Sequence, residues 1–98
     1  MKKNVFSYVG YAIKSRSAVF GVDNIAANRK SKVVLYDDDL SDNGKERLMK
    51  VIEKNKIRGF IADIEELYPD HNCKAIGITD INLASAIIKA MEDSDVND

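Results

Sequence analysis

The chain has 98 residues, 45% of them apolar and 32% charged, with a formal net charge of −1 at pH 7. That length and balance fit one soluble globular domain with one core. Charges interrupt every apolar stretch short of the ~18 residues that a membrane span needs. Met1-Lys2-Lys3 leads into no small-residue cleavage site, so no signal peptide is expected. The single cysteine, Cys73, cannot close an internal disulfide, which fits a reducing cytoplasm.

Val5, Val9, Ala12 and Ile13 recur at helical spacing and predict an amphipathic helix over Asn4–Ser15, with Asn4 as its N-cap. Ala18–Phe20 reads as a short strand and Val22–Lys30 as a helix of about two turns. Lys32–Tyr36 is a β-branched apolar run, the pattern of a buried strand. Ser41 or Asp42 then caps a helix with Leu48, Val51 and Ile52 on one face, ending near Asn55. Ile57–Ala62 is the next strand, and Asp63–Leu67 a short helical turn. It stops at Pro69, which pushes Tyr68 towards extended geometry. Lys74–Ile78 is the last strand. Thr79 and Asp80 open a final helix with Leu83, Ala86, Ile87, Ala90 and Met91 inward. Residues 1–91 form the expected domain, and 92–98 read as an acidic disordered tail. Strands alternating with helices place helices on both faces of one small sheet.

The near-neutral charge hides an asymmetry. The first 36 residues carry seven cations against Asp23, and the rest is correspondingly acidic. Such a split marks either a polyanion-binding face or charges scattered over a solvated surface. The stretch Ser17–Asn24 lies in the basic part. Gly21 allows a sharp turn and a close approach of backbone to ligand, and Asp23 or Asn24 can cap the helix that follows. Lys14 and Arg16 precede this turn, and Arg29, Lys30 and Lys32 follow it. A helix start among cations suits an anion, with nucleic acid the commonest large one. The competing reading is a strand-to-helix turn with ordinary capping on a solvated surface.

Other constellations carry less. Asp37-Asp38-Asp39 follows a buried strand, as the Mg²⁺-holding carboxylates of a phospho-receiver do. Asp63 would have to serve as acceptor, with a lysine ending another strand. A polar loop favouring the next helix start explains the three aspartates better. His71 and Cys73 are two ligand types where a structural zinc site needs four, and no further group supports nucleophilic catalysis by Cys73. Thr79 and Asp80 read as caps, and Ile78 as core.

In order and content the chain resembles the ribosomal protein L-seven-Ae / L-thirty-e family, above all its short bacterial members. The resemblance covers roughly residues 4–91. It rests on the Ala-Val-Phe-Gly strand with its polar helix start, the Lys-Val-Val-Leu-Tyr strand, the Asp-rich loop ending Ser-Asp-Asn, and Ala-Ile-Gly-Ile-Thr-Asp before the last helix. It implies a three-layer α/β/α sandwich around a small mixed four-stranded sheet, and non-enzymatic binding of kink-turn RNA. The family motif runs Gly-Thr-Asn-Glu with a lysine three residues on. Here it reads Gly21-Val22-Asp23-Asn24, with Ala27 in the lysine position.

The expected RNA face is therefore Gly21, Val22, Asp23 and Asn24, with Arg16, Arg29 and Lys30 on phosphates and Ile81 from the loop before the last helix. Structured RNA, ribosomal in the family's best-known members, is the expected partner. No cofactor, metal, membrane or small-molecule substrate is expected. The alternative is a protein–protein interaction module that kept the fold and lost the RNA site.

Overall fold

The first helix, α1 (Lys3–Lys14), turns Val5, Val9 and Ala12 onto one fully buried face. The computed structural model describes residues 3–69 and 72–96. Because α1 begins at Lys3, Asn4 lies inside the helix and does not cap it. The helix closes on Arg16, whose φ is 60°. The Arg16 N–H donates to the Ile13 carbonyl at 3.2 Å and the Ser17 N–H to the Ala12 carbonyl at 2.8 Å. This is a Schellman closure with arginine in the left-handed position that glycine usually fills.

The strands are β1 (Ala18–Phe20), β2 (Val33–Tyr36), β3 (Arg58–Ile61) and β4 (Ala75–Ile78). They form one mixed sheet in the order β1-β4-β2-β3. β4 runs antiparallel to both β1 and β2, whereas β2 and β3 are parallel. Between them lie α2 (Val22–Asn28), α3 (Asp42–Asn55) and the single turn α4 (Ile64–Leu67), and α5 (Ile81–Val96) follows β4.

Strand alternation splits the core into two layers. Val33, Leu35, Ile76 and Ile78 pack with Val5, Val9, Ile64 and Ile87 of α1, α4 and α5. Val34 and Ala75 face Ile25 of α2 and Leu48 of α3 on the other side. The α/β/α sandwich expected from the sequence is thus the architecture found. Gly77 in β4 faces the second layer, and a Cβ there would lie 2.2 Å from Ser31 Oγ. The close passage of residues 29–32 over the sheet depends on that missing carbon.

Caps and ends differ from the sequence reading in places. α2 stops at Asn28, two residues early, because Arg29 turns left-handed with φ 59°. Ser41 Oγ accepts from the Gly44 N–H and caps α3, and Asp63 accepts from the Glu66 N–H and caps α4. Asp80 Oδ1 accepts from the N–H groups of Asn82 and Leu83, as expected for the cap of α5. α5 then runs to Val96, so residues 92–96, read from the sequence as tail, are helical. Arg58 reaches Glu92 at 3.4 Å and ties this extension to β3. Asn97 and Asp98 lie outside the described residues.

Candidate nucleic-acid interface

The backbone leaves β1 through Gly21, whose N–H donates to the Ala75 carbonyl at 2.9 Å. Gly21 has φ 88° and ψ 150°, a region that only glycine enters readily. It is itself the N-cap of α2 and offers no side chain. The expectation that Asp23 or Asn24 caps the helix is therefore corrected. Both lie inside the first turn and are otherwise engaged. Asn24 Nδ2 donates back to the Phe20 carbonyl at 2.8 Å, fastening the helix to the strand it follows. Asp23 pairs with Arg47 of α3, a cation that the sequence reading left out. The two are 24 residues apart, and only the packing of α2 on α3 joins them.

Gly21, Val22, Asp23 and Asn24 line an open depression of about 380 Å³, closed on its far side by Leu40, Ser41, Asn43, Gly44 and Arg47. The loop after β2 lies at this same end of the sheet and brings Asp37, Asp38 and Asp39. Lys74 bonds Asp39 at 3.1 Å. That ammonium, helped by a hydrogen bond with Asp37, holds the Asp39 carboxyl below the usual carboxylate range, and the same contact raises Lys74. A depressed carboxyl stabilises the fold above the ordinary carboxylate value, and the contribution disappears as pH falls through the lowered one.

Arg16, Arg29, Lys30 and Ile81 are not at this end. Ala18, Ile78, Val33 and Arg58 form one row across the four strands. Arg16 precedes that row, Ile81 follows it, and the Lys32 N–H bonds the Ile78 carbonyl at 2.7 Å. Gly21 lies at the opposite edge, beside Ala75. The five residue steps from Arg16 to Gly21 span about 16 Å when extended, and the seven residues of α2 carry the chain back by about 10 Å before Arg29. Nearness in sequence therefore misplaced the cations. The structure brings Gly21, Val22, Asp23 and Asn24 together and sets Arg16, Arg29, Lys30 and Ile81 apart from them.

The far end is strongly basic. Lys14 and Arg16 close α1, Arg29, Lys30 and Lys32 lead from α2 into β2, and Lys54, Lys56 and Arg58 lead from α3 into β3. The last three were missed because their placement follows from β3 running parallel to β2. Among the described residues, only Arg58 of these eight makes an ion pair.

Cys73 is half-buried, and burial raises its thiol above the ordinary value of 9.0. It stays protonated at neutral pH and is a weak nucleophile. Alkylation by iodoacetamide is expected to be slow at pH 7 and to go on rising with pH beyond the point where an ordinary thiol levels off, as a pH series of mass spectra would show. His71 lies outside the described residues. Among the described residues no three His, Cys, Asp or Glu side chains gather as a metal site, and no helix is long and apolar enough to cross a membrane.

The α/β/α sandwich with this mixed sheet is shared with solved structures. A protein of unknown function from Bacillus halodurans C superposes with a TM-score of 0.80 over 93% of this chain and 99% of its own, at 15% identity. The Giardia lamblia 15.5kD RNA binding protein superposes with a TM-score of 0.68 over 95% of this chain and 92% of its own, at 14% identity. No family model and no curated protein sequence matches the chain.

Proposed function

We propose that this chain is a non-enzymatic, cytoplasmic protein that binds structured, kink-turn-like RNA, ribosomal RNA being one candidate, through the turn at Gly21–Asn24. The observation that carries the reading is the fixed turn itself. Gly21 holds the backbone in a glycine-only conformation, and the Phe20 carbonyl immobilises Asn24 at the edge of an open depression. With one N–H engaged, the Asn24 amide keeps a second N–H and its carbonyl oxygen for a base edge. Being held in place before binding, it loses little freedom when a bent RNA docks. The fold shared with the Giardia RNA-binding protein supports the same reading.

A second reading has its own support. Asp23, Asp37, Asp38, Asp39 and Asp42 surround or adjoin the depression and repel phosphate, as suits a protein-interaction module that lost the RNA site. One experiment separates the two. The protein is titrated against a labelled kink-turn RNA and a straight duplex at low and physiological salt. RNA binding predicts a preference for the bend that Asn24→Ala lowers by about tenfold, the value of one good base contact. Equal affinity for bent and straight RNA in the unaltered protein would leave the interaction module as the better reading.

A further inference from the structure

We propose that the basic end of the sandwich, away from Gly21, is a separate docking surface for the phosphate backbone of an RNA stem. It stands whether or not the Gly21 end binds a bend. Three segments, α1 into β1, α2 into β2 and α3 into β3, deliver cations to one edge of the sheet. The row of four strands beneath them is about 15 Å wide at ~4.8 Å per spacing, broad enough to meet several phosphates together.

The simplest competing account is that these cations merely offset helix ends. The carbonyl ends of α1, α2 and α3 do lie here, each worth about half a negative charge. Asp80 and Glu53 add carboxylates, and Glu92 takes up Arg58. Eight cations exceed all of these combined, so the end stays positive.

Backbone geometry gives an independent argument. Among the described residues, only Arg16, Arg29 and Lys56 have positive φ without being glycine, at 60°, 59° and 54°. Each ends a helix in the left-handed conformation that glycine adopts most easily. A cation stands at every one, and all three lie on this end. Charge is kept there against the local conformational preference, and strain retained at a surface is the mark of a functional constraint. The charges are spread over the end of the molecule and not gathered into a pocket. That distribution suits a repeating phosphate chain, which positions the protein without reading bases. Anionic lipid fits less well, because the large exposed apolar side chains described at this end are Ile81 and Tyr11, in the last turn of α1, too few for the apolar face that membrane docking needs.

The test uses the full chain and a straight RNA duplex of about 20 base pairs, with affinity followed between about 50 and 200 mM salt. The triple variant Arg16→Gly, Arg29→Gly, Lys56→Gly is expected to melt at or above the temperature of the unaltered protein. It should bind the duplex at least tenfold more weakly at low salt, with a salt slope shallower by about 2 to 3. Lys30→Gln with Lys32→Gln changes two exposed side chains and should weaken binding in the same direction. Lys50→Gln, an exposed cation of α3 outside both ends that pairs with Glu46, should leave duplex binding unchanged. Four outcomes would overturn the proposal: an unaltered protein that ignores the duplex, a well-folded triple variant with the same affinity and slope, a loss confined to Lys50→Gln, or binding to phosphatidylserine vesicles but not to the duplex.

Discussion

Gly77→Ala is expected to destabilise the fold by about 1–3 kcal/mol, the usual range for forcing a methyl group into a full core. For a domain of this size that lowers the melting temperature by roughly 4–8 °C per kcal/mol. The new Cβ would lie 2.2 Å from Ser31 Oγ, 3.1 Å from Ser31 Cβ and 3.2 Å from Ile25 Cγ1. β4 is bonded on both sides, to β1 and to β2, and cannot retreat. The segment carrying Ser31 must move instead, and it links α2 to β2. Ser31→Ala makes the mechanism testable. Its hydroxyl is buried with no hydrogen-bond partner among the described residues, so removing it should be neutral or stabilising by about 1 kcal/mol. The double variant should then lose clearly less than the sum of the single changes, a coupling that urea denaturation of all four proteins would read. A double variant as unstable as Gly77→Ala alone would mean that Ser31 is not the obstacle.

The same crossing shows what a linear reading can and cannot reach. Apolar periodicity changes cleanly from helical to extended and back, so element order and the identity of Val33, Leu35 and Ile78 as core follow from the sequence. Strands of three or four residues, however, say nothing about direction or neighbours. That β4 inserts between β1 and β2 is a tertiary outcome, and it decides which loops share an end. Arg16 and Gly21 are near in sequence and lie at opposite edges. Arg16 and Lys56 are far apart in sequence and share one. The cap expected for α2 failed for a more local reason. Asn, Asp and Ser are favoured caps, yet Gly21 starts α2 by backbone geometry alone and leaves Asp23 and Asn24 for other partners.

The resulting charge separation is physical, not compositional. A net charge of −1 conceals a carboxylate-rich end around Gly21 and a cationic end around Arg16. At physiological ionic strength the Debye length is about 8 Å, shorter than the ~16 Å of chain from Arg16 to Gly21, so each end acts on a ligand largely independently. Raising salt should therefore weaken contacts at the cationic end far more than any hydrogen-bonded base contact at Asn24.

Gly21→Ala should separate those two ends most sharply. No heavy atom would lie within 4 Å of the added Cβ, so packing does not oppose it. The penalty comes from φ 88° with ψ 150°, a combination that costs a residue with a side chain about 1–3 kcal/mol. Asparagine should fare no better, because its tolerance of positive φ applies near ψ of about 47°. Where the strain is relieved by relaxing the turn, the first turn of α2 loosens, and with it the Asn24–Phe20 hydrogen bond and the Asp23–Arg47 pair. Thermal melts should show the lost stability. Titrations with two RNAs should show a lost preference for the bend alongside unchanged, salt-sensitive binding to a straight stem. If Gly21→Ala melted like its parent, the turn would not be constrained as described. If it were destabilised yet kept the full preference for bent RNA, recognition would have to lie away from the Gly21 end.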